Sequence, residues 1–195
     1  MGRPACSQST LWVHFPAVTF PQTPSSYYET TARLETSNLR TALAPHIHNT
    51  CVLHLGCGTG YYSFLFLEWG VAYVLGVDIS PVMIGVAEES LASSSSSSSS
   101  FSSSSSSSSG GPARGQLEFQ VGDARCLGRV GSMSEVGVGG FGIVVGAWVL
   151  PYAANGRELE AMFGSVAENL KVEGGVFVGI VTPVVGWGGM EEYKV

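Results

Sequence analysis

Gly56, Gly58 and Gly60 stand at alternate positions and close a short, largely apolar run from Cys51 to Leu55. A turn of this kind lets a ligand approach the main chain, because no Cβ stands in the way. A helix-like segment, Tyr61 to Trp69, follows at once and would point its first amide groups at the same place. The chemistry this suits is the binding of a nucleotide-like cofactor. The spacing is GxGxG; a dinucleotide fingerprint would need glycine where Tyr61 stands. No lysine follows as in a phosphate-binding loop, which disfavours a nucleoside triphosphate. Asp78 lies 18 residues beyond Gly60, at the end of a second apolar run. A carboxylate there can accept hydrogen bonds from both hydroxyls of a ribose. A third run ends in Gly122-Asp123, again with a carboxylate at its carboxyl end. All three points fall where open α/β sheets bind ligands.

The elements that must position these residues alternate regularly. The sequence predicts a helix over 27–43, ended by Pro45, then a strand over 51–55 and a helix over 60–69. A strand over 72–77 and a helix over 81–91 come next, with Ser80 as N-cap and Pro81 at the first helical position. Further strands are expected over 117–121, 141–147 and 175–181. A helix over 157–170 would bury Leu159, Met162, Phe163, Val166 and Leu170, with Lys171 at its C-terminal end. Residues 124–140 read as a degenerate helix or loop. Five strands alternating with helices imply an α/β, mostly parallel sheet covered on both faces.

Two segments fall outside this alternation. Residues 1–26 read as an irregular leader ahead of a single domain, 27–195. Residues 93–109 hold sixteen serines broken only by Phe101. Such a tract buries no apolar surface, so a disordered surface insertion is expected.

Composition narrows the function classes. The chain has 195 residues, 45% of them hydrophobic and 12% charged, with a formal net charge of −6. The nine basic residues are scattered, which argues against a nucleic-acid groove or an anionic membrane surface. No apolar run reaches the roughly 18 residues a membrane span needs. Cys6, Cys51, Cys57 and Cys126 form no CxxC pair, and no histidine spacing suggests a metal site. Reduced thiols in a cytoplasmic protein are the expectation, and Cys57 fits its turn by small size rather than thiol chemistry. His46 and His48, beside Pro45, read as surface residues. Nothing here sets an oligomeric state.

Five stretches in order resemble the class I S-adenosylmethionine-dependent methyltransferases, in the branch acting on small molecules. They are VLHLGCGTG at 52–60, VLGVDIS at 74–80, VGDA at 121–124, FGIVVGAWVLPYA at 141–153 and ELEAMFGSVAENLKVEGGVFVGI at 158–180. The resemblance implies a Rossmann-like three-layer sandwich whose last strands are missing, because the chain stops soon after its fifth strand. It implies S-adenosyl-L-methionine as cofactor, held around Gly56, Cys57, Gly58 and Gly60. Asp78 would bind the ribose, Ile79 would pack on the adenine, and Asp123 with Ala124 would meet the adenine amino group. Ala147 would lie beside the methionine moiety. Trp148, Tyr152 and, from the first helix, Tyr28 would face a small or lipophilic methyl acceptor; Tyr27 and Tyr28 are also candidates to reach the cofactor's carboxylate. No obligatory acid or base is implied.

Two positions depart from the family pattern. His54 stands where an acidic residue usually helps hold the cofactor's ammonium group. Weaker binding, dependent on pH near neutrality, is the expectation. Gly142 replaces a usual aspartate, which reads as a lost local cap. A non-catalytic methyltransferase-like binding module, or a truncated gene product, is the alternative to an enzyme. A nicotinamide-dependent oxidoreductase is disfavoured by the glycine spacing and by the lack of a Tyr-x-x-x-Lys pair.

Overall fold

Apolar runs alternating with helical segments build one sheet. The structure is a computed structural model that describes residues 26–96, 115–131, 136 and 140–181. The chain divides into two units, residues 1–44 and 45–195. The first carries α1 (Ser26–Leu43). That helix stops two residues before Pro45, whose ring disfavours helical backbone in the residue preceding it. The side chains of Tyr27 and Tyr28 lie outside the described residues.

The second unit runs β1 (Cys51–Leu55), α2 (Tyr61–Glu68), β2 (Tyr73–Asp78), α3 (Pro81–Ser96) and β3 (Gln116–Val121). It continues with β4 (Ile143–Ala147), a 3-10 turn (Leu150–Tyr152), α4 (Gly156–Asn169) and β5 (Val176–Ile180). The strand order is β3-β2-β1-β4-β5, with every neighbouring pair parallel. From β1 to β3 the chain advances one way across the sheet, and from β4 to β5 the other way. Right-handed crossovers therefore set α2 and α3 on one face and α4 on the opposite one. The α/β, three-layer, Rossmann-like arrangement read from the sequence is the one observed.

Side chains alternate between the faces, as strand geometry requires. Leu53, Leu55, Leu75 and Val77 share a core with Met162 and Val166 of α4. His54 points the other way, with ring centroids 6.2 Å from Tyr62 and 5.5 Å from Phe66 of α2. Gly76 and Val145 flank His54 on the neighbouring strands.

Several expectations shift. The fourth strand begins at Ile143, and Phe141 makes only an isolated bridge to Leu170. At Gly142 a Cβ would lie 2.5 Å from Thr50 Cγ2, so a side chain there would have to displace Thr50. Helix α3 runs to Ser96, four residues into the serine tract. Ser93 and Ser94 hydroxyls donate to the Glu89 and Ser90 carbonyls, at 2.8 and 2.9 Å, which fits them to a helix end. Residues 97–109 of the tract, and 182–195, where further strands were expected to be missing, lie outside the described residues. Between 124 and 140 no helix occurs among the described residues. Phe163 is largely exposed rather than core, although its ring meets Phe177 edge-on at 5.6 Å. Lys171 falls beyond α4, where its amide donates to the Phe141 carbonyl. Among the described residues no helix is long and apolar enough to cross a membrane.

Candidate functional site

Because β1 and β4 are neighbours whose connections leave in opposite directions, the sheet has its switch point between them. The turn after β1 is held there by main-chain bonds. The amides of Gly56 and Cys57 both donate to the Val77 carbonyl, at 2.8 and 3.0 Å, and the Gly60 amide donates to the Cys57 carbonyl at 2.9 Å. All three glycines have positive φ, between 54° and 87°. At Gly56 the requirement is double, since a Cβ would lie 2.8 Å from Val149 Cβ on the loop after β4. At Gly58 the space beyond the missing Cβ is open, with nothing within 4 Å. Its left-handed backbone alone calls for glycine, and the turn is left as an open cradle there.

Asp78 closes the other side of this cradle. Its Oδ2 accepts the Gly58 amide at 2.8 Å and its Oδ1 accepts the Ser80 amide at 2.9 Å. These bonds fix the carboxylate and leave lone pairs on both oxygens, the acceptors a vicinal diol needs. Ile79 is exposed beside it. Ser80 also caps α3, accepting the Met83 amide at 3.4 Å. The turn, Asp78 and Ile79 thus lie together at the carboxyl edge of the sheet. Cys57 is buried; that burial, with the nearby Asp78 charge, pushes its thiol up to about 12. It stays a neutral packing group.

His54 does not meet the expectation of a titrating group beside the cofactor. It is 1% exposed, and its Nδ1 shares a 2.8 Å hydrogen bond with Ser63 Oγ in the first turn of α2. Its Nε2 is buried without a partner. Desolvation pushes its pKa down to about 3, so the imidazole is neutral at working pH and no titration near neutrality arises from it. It ties β1 to α2 across the glycine turn.

The edge after β3 is organised differently. Ala124 is buried in the α4-side core, so its side chain packs inward. Asp123 is half-buried, with both oxygens engaged by Arg125. Burial pushes its carboxyl up, but hydrogen bonds and charge from Arg125 outweigh that and hold it below its usual range. Arg125 continues to Glu158 of α4, at 3.2 Å. The loop then follows α4: the Leu127 amide donates to Ser165 Oγ at 3.3 Å and the Val130 amide to Asn169 Oδ1 at 2.8 Å. Asn169 Nδ2 donates back to the Gly128 carbonyl. None of Arg125, Glu158, Ser63 or Asn169 was singled out from the sequence. Only the Asn155-x-x-Glu158 capping spacing offered a signal: the Glu158 amide donates to Asn155 Oδ1 at 3.1 Å.

Ala147 ends β4 in a buried position, and Trp148 follows with φ 64°. Positive φ in so bulky a residue is strained, and strain of this kind concentrates at functional sites. Its amide donates to the Ile180 carbonyl at 3.0 Å, which holds the turn. Tyr152 is 73% exposed just beyond. No group of three or more potential metal ligands occurs among the described residues.

Residues 52–108 match the family model described as a methyltransferase domain. An uncharacterized Haemophilus influenzae protein is 44% identical over 50 residues, which make up 26% of this chain and 20% of that protein. A crystal structure from Pyrococcus horikoshii superposes with a TM-score of 0.55 at 28% identity, over 85% of this chain and 62% of that one. Magnesium protoporphyrin IX methyltransferase from Synechocystis, with bound SAH, shares the fold. Its TM-score is 0.52 at 18% identity, over 75% of this chain and 57% of that one. The chain therefore spans between 20% and 62% of the length of these proteins.

Proposed function

We propose that this chain is a class I S-adenosylmethionine-dependent methyltransferase that methylates a small or lipophilic metabolite, a reading supported by the methyltransferase-domain match over residues 52–108 and by the fold. The observation that carries the reading is the cradle between left-handed Gly58, open above its Cα, and the fixed carboxylate of Asp78. S-adenosylmethionine supplies an activated methyl on a sulfonium. Asp78 takes the ribose hydroxyls, Ile79 the adenine face, and Asp123 the adenine amine. The turn from Gly56 through Cys57 and Gly58 to Gly60, with Ala147, lines the rest of the cofactor. Trp148 and Tyr152 face the acceptor. Neither His54, neutral and enclosed, nor Cys57, protonated, offers a base. Rate enhancement then comes from holding donor and acceptor aligned, worth up to about 7–11 kcal/mol in well-oriented systems.

Calorimetry tests this reading. The protein should bind S-adenosylhomocysteine, and Asp78→Ala should weaken binding by about tenfold or more, the loss of a charged hydrogen-bond acceptor. A folded sample that binds none would refute it. A second reading, a domain that binds the cofactor without transferring methyl, is favoured by neutral His54 at the usual acidic position. Turnover of any acceptor with a labelled methyl donor would remove that alternative.

A further inference from the structure

The loop after β3 holds a charged cluster whose geometry says more than cofactor contact. Arg125 brings three N–H donors to the Asp123 carboxylate. Its amide meets Oδ1 at 2.9 Å and its Nη2 meets Oδ2 at 2.8 Å, while Nε straddles the two at 3.0 and 3.1 Å. These four contacts put two on each oxygen, but Nε divides one N–H between them, so a further donor can share the carboxylate by taking up that bifurcated position. The far side of the guanidinium is also fixed: Nη1 donates to Glu158 Oε2 at 3.2 Å. Glu158 is itself pinned in the first turn of α4, where its Oε2 also accepts the Ala154 amide at 3.2 Å. The guanidinium is thus held between a carboxylate at the ligand edge of the sheet and one on α4. A planar fork can hold this geometry, and a point charge cannot.

We propose that Arg125, braced by Glu158, is a positioning residue that makes Asp123 a single-acceptor reader of a nucleobase amine, so that the site selects adenine over its 6-oxo counterpart. The inference rests on reading this edge as an S-adenosyl site. With Arg125 in place Asp123 is a fixed anion: it accepts one N–H from an amine and repels an oxo group. Arg125 on its own loop and, behind it, Glu158 from α4 are the charged groups that face it among the described residues. Without Arg125 a half-buried carboxyl has lost its cation, so its pKa rises. It is also free to turn, and once protonated it can donate to an oxo group. Discrimination then collapses.

The test uses the full chain and two probes, S-adenosylhomocysteine and S-inosylhomocysteine, by calorimetry across pH. The wild type should prefer the adenosyl probe by about tenfold or more, the scale of one matched charged hydrogen bond. Arg125→Ala should bring that ratio to within about threefold. It should also move the acid limb of adenosyl binding upward, above the ordinary aspartate pKa of about 3.9. Arg125→Lys should not restore the ratio, and Glu158→Gln should fall between wild type and Arg125→Ala. Thermal melting reports whether each variant folds; if Arg125→Ala does not, Arg125→Lys and Glu158→Gln carry the test. If folded variants keep the wild-type ratio and acid limb, the proposal is overturned and the S-adenosyl site stands. If folded wild type binds neither probe, the site reading fails and the proposal falls with it.

Discussion

The turn after β1 and the loop after β3 lie at the same edge of the sheet and are built by opposite means. The first is set by the main chain. Left-handed glycines, amides donating to the Val77 carbonyl and one carboxylate define it within about two dozen residues of sequence. The second is set by side chains from far away. Arg125 reaches Glu158, Leu127 reaches Ser165, and Val130 reaches Asn169. A main-chain site tolerates few substitutions at its own positions and is indifferent to distant ones. A side-chain site can be reshaped from a helix on the other face.

The largest expected effect separates the glycines of the turn. Gly56→Ala forces a left-handed non-glycine against Val149 and should cost about 2–5 kcal/mol, summing backbone strain and overpacking. Gly58→Ala meets nothing and should cost only about 1–2 kcal/mol of stability while abolishing S-adenosylhomocysteine binding. Urea melts and calorimetry on both variants check this. Equal stability losses would break the distinction between a packed and an open glycine.

A pH series tests the staple behind the turn. His54 has a folded pKa of about 3 against 6.5 unfolded, so between those values the unfolded chain binds the proton and the folded chain does not. Stability therefore falls as pH drops from 6.5 toward 3, by about 3 kcal/mol at pH 4 relative to neutrality. In His54→Leu this part of the slope should vanish, as urea melts at pH 4, 5 and 7 would show. An unchanged slope would mean that His54 is not held neutral.

The loop after β3 should respond to α4. Asn169 is 1% exposed and bonds the Val130 amide and the Gly128 and Ser165 carbonyls. Asn169→Ala leaves these groups unpaired and should cost about 2–3 kcal/mol, read as a lower urea midpoint. Amide exchange should quicken at Val130 and not at Gly58. Ser165→Ala removes one long bond to the Leu127 amide and should cost only about 0.5–1.5 kcal/mol. If either change loosened the glycine turn equally, the two sites would not be independent.

What was legible in the residue order follows the same division. Strand β1 falls at the positions expected, and β2, β3 and β5 shift by a residue at one or both ends, because apolar runs bounded by turn residues are local signals. The glycine turn and Asp78 were readable because their geometry rests on nearby backbone. The start of β4 was misread since Phe141 is apolar whether it pairs in a ladder or packs beside one. The helical start of the serine tract was missed because composition does not register hydroxyls returning to the carbonyls four residues earlier.

The order of residues was enough to specify an alternating parallel sheet, a glycine cradle and a carboxylate beside it, all consequences of short-range sterics and periodicity. Folding alone settled that His54 is a neutral strut, that Gly142 packs closely on Thr50, and that Asp123 is clamped by Arg125, itself held by Glu158. Charge state and hydrogen-bond capacity depend on burial and on partners 33 to 41 residues distant, which no local pattern encodes.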